Sequence, residues 1–393
     1  MVYALPMEHY VIFSALYLPS MGGVEKYTHN LAAALSRAGR RVTIVTSRLS
    51  DDDPAEEERD GARIVRLPSR SLLSGRLPLP KRNGEYRALM AALDAAGGDH
   101  IAVNTRFYPH SLEGLAFARR HGVEPILVEH GSAHLSFGTA PLDAAVALYE
   151  HGITARVKRY RPRCFAVSKR SAEWMGHFGL CAEGVLSNAI DAASFRGLSS
   201  GRDFRAELGL APDAFVASFI GRLVPEKGVG ALIEASRAPA SAEGRPVAFL
   251  LAGEGPLALE ARAAEGPSLR LLGRLDEADV SALLATSDAL CLPSRSEGFA
   301  TCLLEAAAWG VPPVTTAVGG ADELVVSGDC GVLLASPDGV EVARAVRALA
   351  DDPDGAAAKG RAVRTLVEGS YSWDETAARL IEVCENPAIS GTR

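Results

Sequence analysis

Short apolar runs alternate with longer stretches of helical period along the whole chain. Near the start, Tyr10 to Leu16 reads as a strand and Gly22-Gly23 as a turn. The stretch that follows reads as a helix, because Val24, Tyr27, Leu31, Leu35 and Ala38 recur at helical spacing and form one buried stripe. Gly39 stops that helix before a second strand, Val42 to Thr46. The alternation resumes at Phe215. Strands are expected at Phe215 to Ile220, Val247 to Ala252, Leu269 to Leu272, Ala289 to Leu292 and Val314 to Thr316, with helices such as Val229 to Arg237 and Glu277 to Thr286 between them. Strands joined by helical crossovers make parallel sheets covered on both faces. Each half is therefore expected to be its own doubly wound α/β domain. The break falls near residues 188–212, where Phe195 to Gly201 is rich in Gly and Ser and Ala211-Pro212 precedes a strand. Two segments read as surface loops. Asp51 to Asp60 is a dense acidic run expected to be a solvated insertion, and Pro68 to Asn83 mixes Pro, Leu, Arg and Lys without a period.

Length and composition fit that plan. A chain of 393 residues is long for one core and suits two. With 48% hydrophobic and 23% charged residues it has the make-up of a globular protein. The formal charge of −7 argues against a general nucleic-acid partner, since no global positive field draws in a phosphate backbone. The six cysteines are scattered and form no C-x-x-C pair, so they read as free thiols in a reducing compartment. A secretory leader pattern and a bilayer-length apolar run are both missing from the sequence. A cytoplasmic protein is expected, with contact at the inner face of the membrane left open.

In open α/β sheets, ligands collect at the carboxyl ends of strands, where loops and helix N-termini converge. Three such loops in the second half have unusual polar content: Gly221 to Gly228, Gly253 to Leu257, and Pro293 to Phe299, which leads into a helix from about Thr301 to Trp309. Arg222 and Lys227 on the first loop could neutralise a diphosphate leaving group without a metal. Cations in loops are usually ordinary surface groups, but the flanking Gly221 and Gly228 and the preceding strand favour a role here. Glu297 and Glu305 bracket the helix start, and carboxylates accept hydrogen bonds from sugar and ribose hydroxyls. Glu305 lies between Leu303-Leu304 and Ala306 to Trp309, where an idle charge would be costly. Gly298 leaves room for close backbone approach. His130, after the apolar run Ile126 to Val128, stands at another strand end; His29, His110 and His134 read as structural or surface groups. Two D-x-D patterns, at Asp51-Asp52-Asp53 and Asp352-Pro353-Asp354, fall in polar loops away from strand ends and read as chance.

The G-R-L-x-x-E-K-G loop with Arg222 and Lys227, the G-E-G-P-L turn at 253–257 and the E-G-F-x-x-x-x-x-E segment at 297–305 resemble the retaining glycosyltransferases of family four. Gly22-Gly23-Val24-Glu25 is similar to the family's first glycine turn, so the likeness spans nearly the whole chain. It implies a GT-B fold, with two Rossmann-like domains facing a cleft. The implied domains are an acceptor-binding one at 1–188, completed by a C-terminal helix at 372–393 that crosses back to it, and a donor-binding one at 189–371. It also implies a metal-independent hexosyltransferase that uses a nucleotide-diphosphate sugar, a UDP-sugar or GDP-mannose, and a glycan, lipid-linked or small-molecule acceptor, as in polysaccharide biosynthesis. No cofactor is implied, because the nucleotide sugar is a substrate.

By position, the resemblance implies that Arg222 and Lys227 bind the diphosphate, Glu297 holds hydroxyls of the transferred sugar, and Glu305 binds the ribose. Gly298, Phe299 and Ala300 would line the sugar pocket, Arg274 and Leu275 would meet the base, and Gly22 and Gly23 would approach the diphosphate. His130 would lie close to the reacting centre. Catalysis would thus involve His130, Glu297, Arg222 and Lys227, with no metal ligands. The chain departs from the family pattern at Ala300, at Asn188-Ala189-Ile190-Asp191 and at Gly319-Gly320-Ala321-Asp322-Glu323, which bears on the donor sugar's identity. The rival readings are a nucleotide-sugar epimerase of the same fold and a silent nucleotide-sugar binding protein.

Overall fold

The computed structural model describes residues 7–19, 22–72, 77–134, 140–238 and 244–385. The chain divides into two compact units, residues 1–188 with 373–393, and residues 189–372. Each is an α/β unit with a mainly parallel sheet, as the alternation of strand and helix predicts.

The first unit contains β1 (His9–Phe13), β2 (Arg41–Arg48), β3 (Glu56–Arg59), β4 (Ala62–Leu72), β5 (Leu77–Pro80), β6 (His100–Asn104), β7 (Ile126–Glu129), β8 (Arg163–Ala166) and β9 (Ala182–Val185). They run in the order β3-β4-β2-β1-β6-β7-β8-β9, with β5 on β4. All pairs are parallel except β3 and β5, which run antiparallel to β4. β1 lies centrally and is buried along its length, because helices cover both faces of a parallel sheet.

The second unit contains β10 (Phe215–Ile220), β11 (Val247–Ala252), β12 (Leu269–Gly273), β13 (Ala289–Leu292), β14 (Pro313–Thr316) and β15 (Val332–Leu334), in the order β12-β11-β10-β13-β14-β15, all parallel. The chain winds outward to one side of β10, returns, and winds outward on the other side. The crevice between the ends of β10 and β13 is therefore a topological switch point, where ligands of doubly wound sheets bind.

Three local expectations change. β1 stops at Phe13 rather than Leu16, because the Ser14 hydroxyl donates to the Leu16 carbonyl (2.9 Å) and turns the chain. The acidic run 51–60 is not wholly a loop: Glu56–Arg59 is β3, an edge strand that needs no apolar residues. Arg63 bonds Glu56 (3.0 Å), and the buried Arg66 bonds Glu57 (2.7 Å). Likewise Pro68 to Asn83 contains the end of β4 paired with β5, Ser69 opposite Pro80 and Leu72 opposite Leu77. Pro78 and Pro80 sit on an edge strand, where a missing N–H is tolerated. Leu73 to Arg76 lie outside the described residues, as do residues 386–393 of the expected last helix, which is described as Trp373–Glu385.

Trp373–Glu385 belongs to the first unit. Trp373 meets the Tyr27 ring edge-on at 5.5 Å, Arg37 bonds Asp374 (2.7 Å), and Arg163 donates to the Val383 carbonyl (2.7 Å).

Candidate functional site

At the switch point of the second unit, the loops after β10, β11, β13 and β14 lock together through glycines. Gly228 has φ +74° and lies so close to the Pro293 carbonyl that a Cβ there would be 2.1 Å from its oxygen. A Cβ on Gly253 would stand 1.8 Å from the Gly221 oxygen, and one on Gly319 2.4 Å from the Glu297 oxygen. Backbone bonds complete the weave: Leu223 N–H to Glu254 (2.8 Å), Leu257 N–H to Leu223 (3.0 Å) and Arg295 N–H to Glu226 (2.8 Å). The polar residues singled out in these loops therefore stand on backbone that cannot drift apart.

Lys227 on the β10 loop forms an ion pair with Glu297 on the β13 loop, and Ser294 Oγ donates to the same carboxylate at 2.8 Å. Both members of the pair are largely buried, at 20% and 10% side-chain exposure, so the pair is shielded and strongly oriented. Arg222 is exposed, and no carboxylate among the described residues pairs with it. Gly298 leads to the buried Phe299 and Ala300. Ala300 is the N-cap of the helix Thr301–Ala308 and offers no side-chain cap to the first turn. Leu303 N–H bonds the Ala300 carbonyl (3.1 Å), and the positive end of the helix dipole faces the same loop. Glu305, half-buried, is on this helix between the buried Leu304 and Ala306. Arg274 and Leu275 follow β12; Arg274 is exposed, Leu275 packs against the core, and Gly253 N–H bonds Gly273 (2.7 Å) beside them. Of the D-x-D candidates, Asp352 caps the helix Pro353–Ser370 by accepting from Gly355 N–H (3.0 Å), a structural use.

Gly22, Gly23 and His130 lie in the first unit, at the ends of β1 and β7. Gly22 caps the helix Gly23–Arg37, and the Glu25 carboxylate folds over it, 2.4 Å from where a Cβ would be. Gly23 differs: a Cβ there would meet nothing within 4 Å. The packing of the described residues around position 23 thus leaves room for a side chain.

His130 Nε2 lies 3.2 Å from Asn104 Oδ1, Asn104 Nδ2 donates to Thr28 Oγ1 (2.7 Å), and Tyr27 presents its ring edge-on to the imidazole at 4.7 Å. Asn104 thus accepts from His130, which places the proton on Nε2 and leaves Nδ1 as a lone pair. Burial lowers the pKa of His130 to about 3, so the imidazole is neutral.

Sequence reasoning missed the support beneath it. The Glu129 carboxylate accepts from the backbone N–H of His130 (3.2 Å) and Gly131 (3.0 Å). Burial raises the Glu129 pKa, opposed by Arg106, whose Nε is 3.4 Å away. Arg106, itself buried, reaches Glu150 at 2.9 Å and stacks over Phe178 at 3.6 Å. Asn104, Arg106, Glu129 and Glu150 are too far apart in sequence for any spacing rule to join them. His29 and His110 are structural, as read: His110 Nε2 lies 2.9 Å from the Val45 carbonyl and His29 Nδ1 2.8 Å from the Tyr17 hydroxyl.

Two family models match the chain. The first, Glycosyltransferase Family 4, matches residues 21–194, and the second, Glycosyl transferases group 1, matches residues 214–352. Together they cover most of both units. The chain belongs to glycosyltransferase family four. Among its relatives, the glycogen synthase of Mycobacterium tuberculosis is 28% identical over 386 residues, covering 92% of this chain and 91% of the relative. The D-inositol 3-phosphate glycosyltransferase of Thermomonospora curvata is 29% identical over 398 residues, covering 92% and 90%. Sucrose-phosphate synthase of Thermosynechococcus elongatus superposes with a TM-score of 0.74 at 18% identity, over 97% of this chain and 99% of the other. HepE of Anabaena, solved with UDP-glucose, gives 0.69 at 19%, over 96% and 99%. This glycosyltransferase therefore has the GT-B fold.

The buried neutral histidines give the transferase an acid-sensitive first unit. Burial, with help from Arg41, lowers His9 to about 4, while the unfolded value is about 6.5. Below pH 6.5 the unfolded chain takes up a proton that folded His9 refuses, so stability falls as pH drops from about 6.5 to about 4. One such group contributes a slope of at most about 1.4 kcal/mol per pH unit. In His9→Gln, melting temperature measured across that window is expected to fall less steeply than in wild type; equal slopes would refute this.

Proposed function

We propose that this glycosyltransferase transfers a sugar from a nucleoside-diphosphate donor to a glycan, lipid-linked or small-molecule acceptor, with retention at the anomeric carbon and without a metal ion. The observation that carries the reading is the Lys227–Glu297 ion pair across the β10/β13 switch point, with the exposed Arg222 on the same β10 loop as Lys227. Arg222 draws the diphosphate in. The phosphate then competes with Glu297 for Lys227, and Glu297, released, accepts from hydroxyls of the transferred sugar. Glu305 takes the ribose hydroxyls, Gly298, Phe299 and Ala300 line the sugar, and Arg274 and Leu275 meet the base. Arg222, Lys227 and the positive end of the helix Thr301–Ala308 balance the charge that grows on the leaving group, the work a divalent ion does elsewhere. The acceptor hydroxyl attacks from the face the leaving group departs, and the departing phosphate takes its proton. Glu297 is thus a clamp and forms no bond to the sugar.

The first unit, 1–188 with the last helix, binds the acceptor, and 189–371 binds the donor. Gly22 and Gly23 approach the diphosphate, and neutral His130 stands near the reacting carbon. HepE is solved with UDP-glucose, so UDP-glucose is the first donor to try, with GDP-mannose second. A cytoplasmic setting is supported by six unpaired cysteines, with peripheral contact at the inner membrane face. No helix of the described residues is long and apolar enough to cross a membrane.

The test is product analysis with each donor, with and without chelator. Glu297→Gln is expected to lower kcat/KM by roughly 100-fold with the product still retained. Inverted product or activity abolished by chelator would overturn the mechanism, and donor epimerised in the absence of acceptor would replace it. In Gly23→Ala, the melting temperature is expected to stay at the wild-type value while KM for donor rises roughly tenfold. An unchanged KM would remove Gly23 from the site.

A further inference from the structure

The connection after β7 carries a second polar cluster that the donor chemistry leaves unused. His134 follows that strand, His151 is on the helix Ala140–Val157, and His177 ends the helix Lys169–His177. One ligating atom from each lies within 4.8 Å of the other two. The ring centroids are 5.8 Å (His134–His151), 5.2 Å (His134–His177) and 5.1 Å (His151–His177) apart. His151 and His177 are exposed, so an ion arriving from water can reach them.

Two features make this more than a chance surface cluster. Trp174 stacks flat on His177 (4.8 Å, 3°) and meets His134 edge-on at 4.9 Å, which fixes both ring planes. His134 Nδ1 lies 3.2 Å from Oε2 of Glu150, a buried carboxylate that Arg106 holds at 2.9 Å. The contact lacks hydrogen-bond geometry and acts through charge: a carboxylate beside that nitrogen favours the Nδ1–H tautomer and leaves the lone pair on Nε2. Among the described residues, no carboxylate pairs with His151 or His177.

We propose that His134, His151 and His177 form a site for one divalent transition-metal ion of the zinc type, with Glu150 as the positioning residue for His134. Three imidazoles suit zinc and its neighbours and discriminate against magnesium and calcium, which prefer oxygen. Bond lengths of 2.0–2.1 Å would bring the three nitrogens to about 3.3 Å apart, a contraction that movement of the exposed His151 ring toward the two rings held by Trp174 supplies. A water completes the shell. The ion ties the connection that presents His130 to two helices of the same unit. It acts as a brace and takes no part in transfer.

Untagged, chelator-stripped protein titrated with Zn²⁺ by calorimetry tests this, with Mg²⁺ as control. The exposed Cys181 is replaced by Ser in every sample, so that thiolate binding is not counted. The parent is expected to bind one equivalent of Zn²⁺, to ignore Mg²⁺ and to melt at a higher temperature with Zn²⁺. The His151→Ala/His177→Ala double variant is expected to keep the parent's circular dichroism and metal-free melting temperature, to bind Zn²⁺ roughly 100-fold more weakly, and to gain no thermal shift. Co²⁺, whose visible absorption reports its ligands, provides a second probe. The proposal is overturned if the parent shows no saturable one-equivalent binding. It is also overturned if the double variant binds Zn²⁺ as tightly, or gives the same Co²⁺ spectrum.

Discussion

Replacing Arg222 by Ala is expected to lower kcat/KM for sugar transfer by roughly 100- to 1,000-fold, a loss of about 3–4 kcal/mol of transition-state stabilisation, without lowering the melting temperature. The exposed guanidinium makes no ion pair among the described residues, so its removal leaves no orphaned partner and no cavity. All its expected value is in the charge that develops on the diphosphate. Lys227→Ala is expected to reach a similar loss in activity by a different route. It also strips Glu297, a largely buried carboxylate that Ser294 Oγ contacts as well, of its cation. The two members of that pair should therefore be non-additive: Lys227→Ala/Glu297→Gln is expected to be less impaired than the product of the single losses. Steady-state kinetics with the chosen donor decide the matter. Activity of Arg222→Ala within about threefold of wild type would remove the diphosphate role from this loop.

Gly253→Ala is expected to be the most damaging single substitution for the fold. The residue has φ +150°, and its Cβ would stand 1.8 Å from the Gly221 carbonyl oxygen and 3.8 Å from Arg222 N. Neither neighbour is a flexible side chain, so β10 and β11 must part at their carboxyl ends for the methyl group to fit. The expected cost is on the order of 3–5 kcal/mol, or roughly 10 °C in melting temperature for a unit of this size, with donor binding lost in parallel. A melting temperature within about 2 °C of wild type would contradict the described packing. Gly23→Ala is the matched control, since its methyl group enters open space.

These two glycines mark how far the sequence could be read. Both lie in Gly-rich stretches, but only the fold shows that Gly253 is held by a carbonyl and that a Cβ on Gly23 meets nothing within 4 Å among the described residues. The strands of the second unit were legible because a parallel strand covered on both faces must be apolar throughout, and runs such as Val247–Ala252 are. β3 was not legible, since an edge strand can be built from Glu-Glu-Glu-Arg and then looks like a solvated loop. In the loops at the β10/β13 switch point, Arg222, Lys227, Glu297 and Glu305 announced themselves by charge in otherwise apolar or glycine-rich surroundings. The supports of His130 did not. Asn104, Arg106, Glu129 and Glu150 come from β6, the turn after it, β7 and the helix beyond, and only the order of strands in the sheet brings them together.

The last helix has a bearing on how the protein is made. Tyr27, fully buried in the finished molecule, has the ring of Trp373 against it. Between the two lies the whole of residues 189–372, so the first unit is written in two instalments with the second inserted between them. On a ribosome adding about 5–20 residues per second, the apolar stripe of Gly23–Arg37 waits roughly 17–70 s for its cover. The inserted unit has every strand it needs in one continuous stretch and can mature during that interval. The nascent chain therefore completes its domains in the reverse of the order in which they begin, and the stripe around Tyr27 is where a holding chaperone has its longest opportunity.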